Sequence, residues 1–207
     1  MIPHRIVAVG TSAFFGYGDL GNGGYIERLK RWHEAQDSKN AVFNLGISGA
    51  TVGETTTQLL ERLIPEASRR MPDLLLLTTG INDVRRPKGK ESPPVTSPEQ
   101  FKKNVHEMIR LSRQLTQNIV FISTIPIKEK HDSLDNYLLP EDVKKYASIT
   151  KNVCEEENIP YLDVYNDWLS QDFERFLFRD GVHSNQEGYQ EIFLKLKEFL
   201  LIVFTSH

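Results

Sequence analysis

The sequence is poor in cross-linking chemistry. Its 207 residues include one cysteine, Cys154, which excludes an intramolecular disulfide and a cysteine-rich zinc site. Cys154 falls at helical spacing among Val143, Tyr146, Ala147, Thr150 and Val153, so it reads as a buried structural thiol rather than a nucleophile. The histidines form no HExxH pair, and neither a metal nor another cofactor is expected. Long apolar runs are missing as well. Phe199–Phe204 is only six residues long, against the roughly 20 that a membrane-spanning helix needs, so no stable membrane insertion is expected. It reads as the buried end of the last helix, with a homo-oligomer contact or a lipid-facing edge as the alternative.

Charge of one sign is also lacking. Lys and Arg total 25 against 28 Asp and Glu, a net charge of −3 that gives no reason to bind nucleic acid. The one basic run, Arg85-Arg86-Pro87-Lys88-Gly89-Lys90, reads as a solvated loop. Met1 to Arg5 lead directly into an apolar strand with no signal-peptide pattern, so a cytoplasmic location is the expectation. No internal repeat or long linker divides the chain.

What is present suits one domain over residues 1–207. Hydrophobic residues make up 39% and charged residues 26%, enough of the former to bury a core. Strands are expected at Arg5–Val9, Ala41–Leu45, Leu74–Thr79, Ile119–Ser123 and Tyr161–Tyr165. Helical spacing links Tyr25, Ile26, Leu29 and Trp32; Leu59, Leu60, Leu63, Ile64 and Ala67; and Phe101, Val105, Met108, Ile109 and Leu115. A helix is also expected from about Pro140 to Glu157, and Tyr189, Ile192, Phe193, Leu196 and Phe199 mark the last one. Helix starts are signalled by Thr51 with Glu54, Ser97 with Gln100, and Ser184 with Glu187. The last pair would place His183 immediately before a helix. Residues 84–98 read as an exposed excursion, and a polar loop runs through Asp135-Asn136. Five strands alternating with helices predict an α/β fold, a mostly parallel five-stranded sheet covered on both faces. Ligands gather at the carboxyl ends of such strands.

The loop after the first strand carries Gly16, Gly18, Gly21, Gly23 and Gly24 but no phosphate-cradling pattern, and reads as a flexible active-site loop. A flavodoxin-like nucleotide binder therefore fits the fold but lacks its motif. Near the C-terminus, Asp180-Gly181-Val182-His183 sets an acid three residues before a histidine. The carboxylate can hold one ring nitrogen and leave the other as a base. Such a base needs a nucleophile. Ser12, just past the first strand, is the candidate. Its rival Ser48 lies in Gly46-Ile47-Ser48-Gly49-Ala50, which does not fit GxSxG. His4, His33, His106, His131 and His207 have no acid at that spacing and read as surface or core histidines. Attack by Ser12 would build an oxyanion, for which the N–H groups of Ser12 and Gly49 and the Asn82 amide are candidate donors. Asp83 reads as structural.

Four blocks, Gly10-Thr11-Ser12, Gly46-Ile47-Ser48-Gly49, Gly80-Ile81-Asn82-Asp83 and Asp180-Gly181-Val182-His183, together resemble the SGNH (GDSL-type) hydrolases in order and spacing. The resemblance implies a three-layer α/β/α sandwich and a metal-free serine esterase with Ser12, Asp180 and His183 as catalytic residues. It also implies an oxyanion hole of Ser12, Gly49 and Asn82. Thr11 departs from the pattern, since the family usually has Asp there; a non-catalytic ligand-binding protein on the same fold is the alternative. Gly16, Gly18, Pro87, Pro93 and Pro94 would frame an open cleft, which points to a small ester with a short or acetyl acyl group.

Overall fold

A computed structural model describes residues 1–19, 21–67, 71–131 and 136–205. Strand β1 (Arg5–Gly10) leads into a single helical turn, α1 (Ser12–Phe15), then α2 (Gly24–Glu34) and β2 (Ala41–Gly46). Helix α3 (Val52–Gln58) runs through a π-helical stretch (Leu59–Leu63) into α4 (Ile64–Ala67) and on to β3 (Leu74–Leu77). Next come β4 (Arg86–Pro87), α5 (Pro98–Ser112), β5 (Ile119–Ile122), β6 (Lys130–His131), β7 (Asn136–Leu138) and α6 (Pro140–Glu156). The chain closes with β8 (Tyr161–Leu162), α7 (Val164–Leu169), a 3-10 turn (Phe173–Phe176) and α8 (Gln186–Thr205).

Five strands form one sheet in the order β2-β1-β3-β5-β8, and every pairing in it is parallel. Because side chains alternate across a strand, each strand feeds two cores. Val7, Val9, Leu75, Leu77, Ile119 and Phe121 pack with residues of α3, α5 and α6, among them Val52, Phe101, Met108 and Tyr146. Ile6, Ala8, Leu74, Leu76, Val120 and Ile122 pack with residues of α2, α7 and α8, among them Tyr25, Leu29, Trp168, Tyr189 and Leu196. Two cores on opposite faces of one sheet make three layers, as expected. They also explain why β3 can be four leucines in a row, all fully buried. The edge strand β2 is blunted by side chains: Val42 donates to Glu34 Oε1 at 3.0 Å and accepts from Lys30 Nζ at 3.1 Å.

Local signals held where a side chain had no competitor. Thr51 N–H reaches Glu54 Oε2 at 2.5 Å and Glu54 N–H reaches Thr51 Oγ1 at 3.4 Å, a reciprocal cap. Ser97 caps α5 from Gln100 N–H at 3.3 Å, with Pro98 in the first turn. The expected cap at Ser184 and Glu187 does not form. Ser184 is buried and bridges to Leu177, while Asn185 Oδ1 takes the Gly188 N–H at 2.9 Å, so Asn185 caps α8 and His183 sits one residue further from the helix. The fifth strand stops at Leu162, because Asp163 caps α7 by accepting from Asn166 N–H at 3.1 Å.

Two loop expectations are corrected. β4, β7 and β6 form a small antiparallel sheet, and Arg86 forks onto Asp142 at 2.5 and 2.9 Å, so the basic run is partly structural rather than a solvated loop. The glycine-rich loop is not free either. Buried Asp19 bonds the Gly24 N–H at 3.0 Å and pairs with buried Arg28, pinning its far end. Asp135, His207 and the side chains of Leu60 and Ala67 lie outside the described residues. Leu59, Leu63 and Leu200 are buried, whereas Leu201 and Ile202 are exposed. No helix among the described residues is long and apolar enough to cross a membrane.

Candidate active site

β1 lies between β2 and β3, so the chain leaves it on one side and returns on the other. In open parallel sheets the crevice at such a switch point is where ligands bind. Ser12 follows β1, Gly49 follows β2 and Asn82 follows β3, which places all three at the same end of three adjacent strands. The loops there approach closely. A Cβ on Gly46 would lie 2.6 Å from Phe15 N and 2.8 Å from Thr11 O, so only glycine lets the β2 loop pass beneath α1. Thr11 is buried and extended, and its carbonyl accepts the N–H groups of Phe14 and Phe15 at 3.1 and 3.2 Å.

Ser12 Oγ lies 2.8 Å from His183 Nε2, and His183 Nδ1 lies 2.6 Å from Asp180 Oδ2. An ionised carboxylate can only accept, so Nδ1 carries the proton and Nε2 accepts from the serine hydroxyl. The second oxygen, Asp180 Oδ1, takes the N–H groups of Val182 and His183, each at 3.0 Å. Burial would raise the Asp180 carboxyl, but the bonds from the His183 ring and from these two N–H groups outweigh it. They hold it well below the usual carboxylate range. The turn is braced from outside: Lys128 N–H donates to Gly181 O at 2.9 Å, and Lys130 Nζ to Asp180 O at 3.2 Å. The Tyr17 ring flanks His183 with centroids 4.4 Å apart, and the Tyr17 carbonyl is fixed by Tyr189 Oη at 2.8 Å. Neither Tyr17 nor Lys130 was singled out in the sequence; an aromatic residue inside a glycine-rich loop was the available signal.

Of the expected donors, Gly49 sits exposed with φ +84°, and the Asn82 amide donates one N–H to Ala50 O at 2.9 Å, leaving its second. Ser48 is exposed, and His183 bonds Ser12 instead. Asp83 is fully buried and holds Val52 N–H at 3.0 and 3.2 Å and Thr96 Oγ1 at 2.8 Å. Desolvation pushes its carboxyl up to about 6 despite those bonds. Beside Ser12 and His183 a recess of about 30 Å³ is lined by Thr78, Ile81, Ser123, Val182 and Tyr189 among others.

The other described histidines serve elsewhere. His33 is buried against His4 O at 3.2 Å, and His106 pairs with Glu157 at 2.8 Å. Among the described residues no cluster of three or more His, Cys, Asp or Glu is arranged to hold a metal ion. Cys154 is buried, and burial pushes its thiol up to about 12, as a structural role requires.

Residues 8–191 match the model of the GDSL-like Lipase/Acylhydrolase family. No curated protein is detectably similar in sequence. Among solved structures, the lipase/acylhydrolase from Enterococcus faecalis superposes with a TM-score of 0.71 at 22% identity, covering 94% of each chain. An α/β hydrolase from the metagenome of Lake Arreo, Spain, gives 0.75 at 19% identity over 97% of this chain and 96% of that one. The acetylxylan esterase of Geobacillus stearothermophilus gives 0.73 at 18% identity over 95% and 94%. At these identities the structural likeness speaks for the fold.

Proposed function

The chain belongs to the GDSL-like lipase/acylhydrolase family, the SGNH hydrolases, and on that premise we propose that its whole length works as one serine esterase domain acting through an acyl-enzyme. The observation that carries this reading is the unbroken chain of hydrogen bonds from Ser12 Oγ through His183 to Asp180. His183 Nε2 takes the hydroxyl proton as Ser12 attacks the ester carbonyl. Asp180 keeps the ring in the required tautomer and stabilises the imidazolium without itself accepting the proton. The tetrahedral oxyanion is met by the N–H groups of Ser12 and Gly49 and the free N–H of Asn82. Ser12 opens α1, so its N–H has no acceptor within its own helix. Collapse expels the alcohol, which receives the proton from His183, and water repeats the sequence to release the acid.

The recess beside Ser12, about 30 Å³, has room for an acetyl methyl and so supports a short acyl group. Thr11 does not count against catalysis. The turn that presents Ser12 closes on the Thr11 carbonyl, which any residue supplies. A fluorophosphonate probe tests the reading. It should label the wild type and leave Ser12→Ala unlabelled; an unlabelled wild type would favour a ligand-binding protein on the same fold.

A further inference from the structure

Gly49 has almost nothing to hold it. It is exposed at φ +84°, and a Cβ built on it would meet no atom within 4 Å. A backbone N–H that must aim at an oxyanion is therefore fixed through its neighbours. Upstream, Ile47 N–H donates to Gly10 O at 2.9 Å. Downstream, beside the Thr51–Glu54 cap and the Ala50 N–H on Ile47 O at 3.3 Å, the tertiary hold comes from one short stretch after β3. Asn82 Nδ2 grips Ala50 O at 2.9 Å, both oxygens of Asp83 grip Val52 N–H, and Arg85 Nη2 approaches Gly49 O at 3.5 Å.

Resting on the serine-esterase reading above, we infer that Asp83 is a positioning residue of the oxyanion hole. Its carboxylate ties the start of α3 to the end of β3, and so sets the aim of the Gly49 N–H and the Asn82 amide together. The residue touches no reacting atom. It is itself held on the far side: Thr96 Oγ1 donates to it at 2.8 Å, and the Thr96 N–H donates to its carbonyl at 3.1 Å. Tyr146 Oη in turn donates to Thr96 O. The clamp thus stands on α6 and the core. A second argument is the cost of the group. A fully buried carboxylate is an expensive way to hold one backbone N–H and one hydroxyl, and its pKa pushed up to about 6 records that expense.

The test is steady-state hydrolysis of p-nitrophenyl acetate by Asp83→Ala, Val52→Pro, the double variant and Ser12→Ala, with folding checked by circular dichroism. Val52→Pro deletes the clamped N–H at the first position of a helix, where proline is tolerated. Removing an oxyanion donor outright slows kcat by about 10²–10³. A misaimed donor should cost less, so each single variant is expected to lose roughly 10–100-fold in kcat with KM within about threefold of wild type. The double variant should be no slower than the slower single one, because both cut the same bond. Wild-type kcat in a folded Asp83→Ala overturns the inference, as does a loss confined to KM or losses that multiply in the double variant. Should Asp83→Ala not fold, Val52→Pro decides alone: kcat retained overturns the clamp and kcat lost supports it. Activity in Ser12→Ala is a separate result that removes the esterase reading and the clamp with it.

Discussion

Ser12 Oγ and His183 Nε2 lie 2.8 Å apart although 171 positions separate them in the chain. Nothing local brings them together. Ser12 is carried by the end of β1 and His183 by a turn braced on the β5–β6 connection, so their meeting is a property of the sheet's parallel order. Three contacts then restrict the imidazole, Asp180 on Nδ1, Ser12 on Nε2 and the Tyr17 ring on one face, while Phe178 N–H fixes the His183 backbone carbonyl at 2.7 Å. An imidazole held this way would, on the proposed reading, be ready as a base before substrate arrives.

Asp180→Asn keeps the shape of the turn but presents the wrong hydrogen-bonding partner to Nδ1. We expect kcat to fall by about 10³–10⁴, because the ring is left in the wrong tautomer. Steady-state kinetics on a small acetyl ester would show it, and a loss below tenfold would remove Asp180 from its role.

Only a neutral His183 can accept the serine proton, so kcat/KM should rise with pH and then level. Asp180 is held well below the usual carboxylate range and stays ionised throughout, so it contributes no limb of its own. Asp83, pushed up to about 6, could add one. The profile is therefore to be measured for Asp83→Asn as well. The same rising limb in both proteins assigns it to His183, a limb lost in Asp83→Asn assigns it to Asp83, and a profile with no rising limb contradicts a histidine base.

Asn82→Ala should lower kcat by about 10²–10³ with little change in KM, since its free N–H serves the transition state more than the bound ester. A raised KM with unchanged kcat would make Asn82 a substrate-binding residue instead.

The buried charge of Asp83 makes a stability prediction. Its folded pKa lies above the ordinary 3.8, so the folded state binds the proton more tightly than the unfolded one. The stabilising contribution is then present below the unfolded value and is lost as pH rises from about 4 to about 6. A difference of about two units corresponds to about 3 kcal/mol. Denaturant titrations of wild type and Asp83→Asn should diverge in favour of the variant across that window; a gap independent of pH would mean that Asp83 is not strained.

Cys154 should resist iodoacetamide at pH 8 in the folded protein and react only on unfolding, because burial keeps the thiol protonated. Rapid labelling of native protein would contradict its place in the core.

The fold was readable because the parallel strands are unusually plain. Leu74–Leu77 and Ile119–Ile122 are apolar runs with no rival period, and the four blocks fall where those strands end. Readings failed where two local signals competed. Ser184 and Asn185 are both good caps, and the bridge from Ser184 to Leu177 decided for Asn185. Tyr161–Tyr165 has strand composition, but Asp163 inside it caps a helix. The small sheet of β4, β6 and β7 has strands of two or three residues, too short to show a period. At the site, identities and order could be read but mutual support could not. Asp83 read only as structural, without its partners, because Val52 and Thr96 lie 31 and 13 positions away. The Asp19–Arg28 pair was equally hidden, since surface and buried ion pairs look alike in a sequence.

The measurement closest to the central claim is hydrolysis of p-nitrophenyl acetate by the purified protein beside Ser12→Ala. The account predicts turnover in the wild type and its loss, by about 10³-fold or more, in the variant. Turnover that survives in Ser12→Ala would contradict it and require another nucleophile.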